Sequence, residues 1–383
     1  MIYLDNAATT SPKPQPVIRA AGRAMAGLSA NPGRSGHRLA AAAADAVYAA
    51  RKTAAEFFGV TSPENVIFTP GCTYSVNQVL KGALRPGDHV IISDMEHNAV
   101  VRPLFALERD NNISVSRARV AEGDHDATAM NFARLIQDNT RMIFATHASN
   151  VFGLRLPAEK IGRICRDAGI LFGIDAAQSA GLLPVDINTL NADMICVPGH
   201  KGLYGAMGAG LLLLREGAGL RPIIEGGTGS RSALRSQPDD LPDLLESGTP
   251  NLPGILAMAA GIDWLNETGT DKIAAHEYSL IRRAWRGLDS IPGVRLYTGI
   301  PELSSHVPLL SFNISNIPSE RVGEELNRRG IAVRAGFHCA YDAHMKMGTS
   351  ETGAVRICPS AFTTEDEIDT FLSAAENISV DIF

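Results

Sequence analysis

The chain is poor in cysteine, and the few it has are scattered. Cys72, Cys165, Cys196, Cys339 and Cys358 are odd in number, widely spaced and free of any C-x-x-C pair. This excludes a disulfide framework or zinc knuckle and suits a reducing, cytoplasmic setting. Positive charge is in short supply. The 35 Lys and Arg stand against 41 Asp and Glu, for a net charge of −6. No basic stretch stands out, so no nucleic-acid partner is expected. No run of about 18 apolar residues occurs, so no membrane span is expected. The opening "MIYLDNAATTSPKP" lacks the charged and then apolar regions of a signal peptide. Internal repeats and low-complexity tracts are absent too.

What is present is globular. The 383 residues are 45% hydrophobic and 20% charged, enough chain for two domains and a sizeable core. The Ala-rich stretch 39–58 reads as a long helix. Short apolar runs follow: "NVIFT" (65–69), "HVIIS" (89–93), "RMIFAT" (141–146), "ILFGID" (170–175), "DMICV" (193–197) and "GLLLL" (210–214). Helical stretches at 74–83, 97–108, 128–137 and 157–168 lie between them. Strand–helix alternation with near-continuous apolar strands means a buried, mostly parallel α/β sheet. The link from 196 to 210 is too short for a crossover helix, which makes "GLLLL" an antiparallel strand. After the Gly/Ser/Pro-rich stretch 225–242 the pattern changes. Helices at 253–267 and 271–288 lead into strands at 293–298, 307–315, 331–334 and 353–358. A last helix opens at "TTEDEIDTF", with Thr364 as its cap. The expected division is a large domain at 15–250 and a small α+β domain made of 1–14 and 251–383.

Ligands of open parallel sheets sit beyond the carboxyl ends of the strands. Five such ends carry polar residues here. After "NVIFT" come Gly71, Cys72 and Thr73 at a strand-to-helix turn, a seat for phosphate. After "HVIIS" comes His97, and after "RMIFAT" comes Asn150. Asp175 and Gln178 follow "ILFGI", and His200 and Lys201 follow "DMICV". Pyridoxal phosphate uses all of these together. It takes a lysine for its Schiff base, a carboxylate at its pyridine nitrogen and a site for its phosphate. In that arrangement Lys201 holds the cofactor and later moves a proton at the substrate's α-carbon. Asp175 pairs with the ring nitrogen, Gln178 donates to the phenolic oxygen and His97 stacks on the ring.

With these residues in view the chain resembles the class V aminotransferase family, within it the cysteine desulfurases and selenocysteine lyases. The matching pieces are "YLDNAATT" (3–10), "NPGRSGHRLA" (31–40), "MEHNAV" (95–100), "SNVFG" (149–153), "IDAAQSAG" (174–181), "PGHKGLYG" (198–205), "ESGTPN" (246–251), "VRAGFHCA" (333–340) and "VRICPSAFTTEDEID" (355–369). The resemblance implies the type I aspartate-aminotransferase-like fold, with a mostly parallel seven-stranded sheet. It implies a homodimer in which Thr249 reaches the phosphate of the partner subunit's cofactor. Arg356 would hold the substrate carboxylate, assisted by Asn150, and Thr73 and His200 would serve the phosphate. Cys339 matches the persulfide-forming cysteine. That cysteine takes sulfur from L-cysteine, leaves L-alanine and passes the sulfur to an acceptor protein. Arg334 and His338 are expected to lower its thiol pKa as cations. The short loop after Cys339 resembles the assimilation-type desulfurases.

Two positions depart from the family. Pro198 stands where some members carry a serine, and it has no N–H to offer phosphate. Cys72 stands where Thr or Ala is commoner and is expected beside the phosphate as a small filler. Two other activities suit the same fold: a selenocysteine lyase releasing selenide from L-selenocysteine, and a transaminase or epimerase with no need of Cys339.

Overall fold

A computed structural model describes residues 1–33, 36–315 and 317–380. Two residues of the piece 31–40, Arg34 and Ser35, lie outside the described residues.

The chain opens with a two-residue strand, β1 (Ile2–Tyr3), before the helices α1 (Gln15–Gly27) and α2 (Arg38–Phe58). The apolar runs then form one sheet. Its strands are β2 (Val66–Thr69), β3 (His89–Ser93), β4 (Ser114–Ala118), β5 (Thr140–Thr146), β6 (Leu171–Asp175), β7 (Met194–Pro198) and β8 (Gly210–Leu214). They stand in the order β2-β8-β7-β6-β5-β3-β4. Only β8 runs against its neighbours, as its short connection requires. Every residue of β2, β3, β7 and β8 is buried. Helices cover both faces of such a sheet, and so these strands read as unbroken apolar runs. Sequence periodicity misses β4. Its "SVSRA" is an edge strand whose polar residues face outward, leaving no apolar run to read.

The helices α3 (Cys72–Ala83), α4 (Asn98–Asn111), α5 (His125–Ala133) and α6 (Ala158–Ala168) connect the strands. α5 starts earlier than its apolar pattern suggests because Asp124 caps it, its carboxylate accepting from the Ala127 N–H at 2.8 Å.

Two long helices, α7 (Leu252–Thr268) and α8 (Thr270–Asp289), lead to the second unit. There β9 (Val294–Leu296), β10 (Leu310–Ile314), α9 (Ser319–Arg328), β11 (Ile331–Ala332), β12 (Arg334–Gly336), α10 (Tyr341–Met347), β13 (Ala354–Ile357) and α11 (Glu365–Val380) follow. An antiparallel sheet runs β12-β13-β10-β9. The stretch 331–334 divides: β11 pairs in parallel with β1, and β12 turns into the small sheet. Thr364 caps α11 reciprocally. Its hydroxyl accepts the Glu367 N–H at 3.2 Å, and the Glu367 carboxylate accepts the Thr364 N–H at 2.9 Å.

Ile255, Met258, Ile262 and Leu265 of α7 pack into the core of the large sheet. Leu280, Ile281 and Leu288 of α8 pack into the second core, with Phe312 and Phe371. On these packing grounds we propose that the two units divide near Gly269, one helix beyond residue 250.

Candidate active site

A cavity of about 510 Å³ opens where β2, β3, β5, β6 and β7 end. It is lined by Cys72, Thr73, His97, Asn150, Asp175, Gln178, His200, Lys201, Cys339 and Arg356. The strand ends therefore bring together every candidate except Thr249, which is exposed and lies within reach of Asn31 (Nδ2 to Oγ1, 3.4 Å).

Lys201 sits in the loop between β7 and β8. Gly202 lets that loop lie against the turn after β6, since a Cβ there would stand 2.2 Å from the Ala180 carbonyl oxygen. Burial holds the Lys201 amine below its usual pKa, and the Asp175 carboxylate pulls the other way. Asp175 is buried at the end of β6. Its Oδ1 accepts the Ala177 N–H at 2.9 Å and the Cys72 thiol at 3.4 Å. The Gln178 amide donates to the Ala7 carbonyl at 3.0 Å.

His97 is the cap of α4. Its Nδ1 accepts the Ala99 N–H at 2.9 Å, so in the neutral ring the proton is on Nε2. Burial pushes its pKa down to about 4, against the pull of Asp175. His200 is likewise pushed down to about 4 by burial, then by Lys201 and Lys13. Both rings are neutral at pH 7.

The second unit supplies Arg356 from β13 and Cys339 from the loop after β12. The Arg356 guanidinium is buried, donating to the Asn150 carbonyl at 2.6 Å and the Asp5 carboxylate at 2.8 Å. Cys339 is exposed, with the Nη2 of Arg334 3.8 Å from its sulfur.

This chain matches the family model "Aminotransferase class-V" over residues 2–371. The chain belongs to the aminotransferase class-V family. A "probable cysteine desulfurase" of Methanothermobacter thermautotrophicus is 33% identical over 99% of this chain and 94% of its own length. A "probable cysteine desulfurase" of Mycolicibacterium paratuberculosis is 35% identical, and there this chain spans 55% of the relative. The solved cysteine desulfurase of Thermococcus onnurineus NA1 has a TM-score of 0.91 at 30% identity, covering 99% of this chain and 95% of that one. The family is pyridoxal phosphate dependent, and its type I fold is the one observed.

The cavity fits that cofactor. Among the described residues, three buried polar atoms on its walls have no hydrogen-bond partner: His200 Nδ1, Asn150 Oδ1 and Arg356 Nε. Unpaired buried polar atoms are costly, and these three belong to residues that line the cavity. The first turn of α3 adds N–H groups at Cys72 and Thr73 without intrahelical acceptors, behind a Gly71 cap that offers no side chain. Pro198 lines the same wall and offers no N–H.

Cys72 lies in the first turn of α3, and its thiol also donates to the Asp175 carboxylate; burial with that charge holds it strongly protonated. One expectation is corrected: His338 is no cation. It is buried, and desolvation with Arg356 nearby pushes it down to about 2. Arg334 is the cation in contact with the Cys339 sulfur. Sequence reasoning also gave no role to Asp5 and Glu96, although both lie in quoted motifs. Asp5 pairs with Arg356, and Glu96 joins the ends of β3 and β5 through Ser93 and Thr146. The partners that set their roles, Arg356 for Asp5 and Thr146 for Glu96, are distant in sequence, so no spacing marks them.

Proposed function

We propose that this chain is a pyridoxal phosphate-dependent cysteine desulfurase that converts L-cysteine to L-alanine and carries the sulfur as a persulfide on Cys339. The observation that carries the reading is one cavity holding Lys201, Asp175, His97, Arg356 and the exposed Cys339 together. Lys201 is the attachment point. Its depressed amine pKa keeps a share of it neutral, as a nucleophile and a base require. Asp175, in contact with Cys72 and the Ala177 N–H, is the carboxylate for the ring nitrogen. The α3 N-terminus, Thr73 and His200 serve the phosphate. The bound cofactor supplies an electron sink for the substrate's α-carbon.

The chain's own groups do the rest. Arg356 orients the substrate carboxylate, with Asn150 beside it. When the substrate amine takes its place, Lys201 moves a proton at the α-carbon. The Cys339 thiolate attacks the substrate's sulfur. A sulfur–sulfur bond forms, the carbon–sulfur bond breaks, and its electron pair stays on carbon, where a proton completes alanine. Arg334 stabilises the thiolate. Cys339 is exposed, so a persulfide there is accessible to an acceptor protein. Thr249, exposed and outside its own cavity, suits a role at the cofactor site of a second subunit in a homodimer.

The test is alanine and sulfide release from L-cysteine with a reductant, for wild type, Cys339→Ala and Lys201→Ala. Cys339→Ala is expected to keep the cofactor's visible band and lose sulfide release. Lys201→Ala is expected to lose both. Full sulfide release by Cys339→Ala sinks the persulfide reading. Selenide from L-selenocysteine by wild type and Cys339→Ala alike, with little sulfide, makes the chain a lyase instead.

A further inference from the structure

His338 and Cys339 both adopt left-handed backbone, with φ of 51° and 58°. Neither is glycine, and L side chains avoid that region, most of all in succession. Such a turn persists only where its surroundings hold it. Two contacts hold it from outside and one closes it from within. Asn150 Nδ2 donates to the His338 carbonyl at 2.7 Å. The Asn98 N–H donates to the Cys339 carbonyl at 2.6 Å, and the Ala340 N–H to the Phe337 carbonyl at 3.0 Å.

The inside of the turn is held by imidazoles. His338 and His344 are both buried, their rings 5.6 Å apart and within 11° of parallel. His338 Nε2 meets the Arg334 carbonyl at 3.4 Å, and its Nδ1 meets His344 Nε2 at 3.4 Å. His344 Nδ1 meets the Thr349 hydroxyl at 2.7 Å. The roles follow from one end. A carbonyl only accepts, so His338 Nε2 carries the proton and its Nδ1 accepts. His344 Nε2 then donates and its Nδ1 accepts, so the Thr349 hydroxyl donates to it, with the His344 carbonyl as a second, longer acceptor at 3.4 Å. The chain runs in one direction, Thr349 to His344 to His338 to Arg334, and both rings must be neutral. Burial pushes them the same way, to about 2 and about 4. It ends on the main chain of Arg334, the residue whose guanidinium lies 3.8 Å from the Cys339 sulfur.

We propose that Thr349, His344 and His338 are positioning residues that hold the Cys339 turn in its left-handed form and so keep the thiol against Arg334. The inference rests on Cys339 being the sulfur-carrying nucleophile, but its test reads the thiol and not turnover. Without the chain the turn relaxes and the thiolate loses its cationic neighbour. The sulfur then moves away from the Arg334 guanidinium, and its reactivity toward an electrophile falls.

The experiment is alkylation of the holoenzyme with iodoacetamide from pH 6 to 9, with the rate at Cys339 read by peptide mass spectrometry. Wild type is compared with Thr349→Val, Thr349→Ser and His344→Phe. Thr349→Val, close to isosteric, is expected to slow Cys339 alkylation at pH 7 by about fivefold. Thr349→Ser keeps the donor and is expected to match wild type. His344→Phe fills the same space without nitrogen and is expected to follow Thr349→Val. If Thr349→Val matches wild type while folded, or Thr349→Ser slows as much as Thr349→Val, the proposal is overturned. If Cys339→Ala still releases sulfide while these alkylation rates behave as expected, the desulfurase reading fails and the positioning chain stands.

Discussion

Replacing Glu96 by glutamine removes one titratable proton from the buried junction of β3 and β5 and keeps the side chain's size. Glu96 has no exposed surface. Its Oε1 accepts the Ser93 hydroxyl and the Ser93 N–H at 3.3 Å, and its two oxygens share the Thr146 N–H at 2.9 and 3.0 Å. These bonds favour the carboxylate, but burial outweighs them and pushes the group from 4.5 up to about 8. The folded chain thus keeps a proton that the unfolded chain releases above pH 4.5. A carboxyl shifted this way takes stability away as pH rises through that window, and its effect levels off above about 8. The depressed histidines, His97, His200, His338 and His344 among them, act with the opposite sign up to about pH 7.5, and being the same in both proteins they cancel in the comparison. Between pH 6.5 and 8 Glu96 should therefore remove about 1.5 kcal/mol of stability. Glu277, also raised to about 8 by burial, contributes equally in both proteins and cancels. The assay is the urea midpoint at pH 6.5, 7.2 and 8 for wild type and Glu96→Gln. Wild type should lose about 1.5 kcal/mol more than the variant across this range. Parallel pH dependences would refute the reasoning, because they would mean that Glu96 is already ionised in the folded chain.

Two further substitutions probe the frame around the site. Glu246→Gln leaves the buried Arg51, paired to it at 2.7 and 2.8 Å, without a counter-charge. It should cost about 3–5 kcal/mol by chemical denaturation, and a loss below about 1 kcal/mol would show that the pair is not effectively buried. Gly202→Ala puts a methyl 2.2 Å from the Ala180 carbonyl oxygen and must shift the Lys201 loop. Turnover of L-cysteine should fall about a hundredfold with the fold intact by circular dichroism. Wild-type activity would mean the loop tolerates displacement.

The sheet was legible because its strands are buried on both faces. Such strands leave apolar runs that stop abruptly, and the residues that line the cavity come within a few positions of each stop: His97, Asn150, Asp175 and Lys201 each lie there. β4 was not legible, for its edge position lets polar residues into the strand. The reach of α7 into the larger core was hidden as well, since the Gly/Ser/Pro-rich stretch before it looks like a boundary while the packing of Ile262 and Leu265 does not appear in the sequence.

The charge states around Cys339 show where sequence reasoning stops. Three groups within six positions, Arg334, His338 and Cys339, look like a cationic nest for a thiolate. Whether a histidine there is charged depends on its burial, and that burial comes from β13 and α10, which follow it in the chain. Arg356 stands behind His338 and opposes its protonation, and His344 offers it an N–H where a protonated ring would need an acceptor. A second proton on His338 would put two donors face to face. The positive partner of the thiol is therefore Arg334, and the histidine's contribution passes through the backbone it holds. The same logic applies to Asp5. Its carboxylate shares Arg356 with the Asn150 carbonyl, so the guanidinium is fixed before any substrate arrives. A carboxylate ligand meets a side chain that needs little further ordering, and affinity gained by this route comes from preorganisation rather than from added contacts.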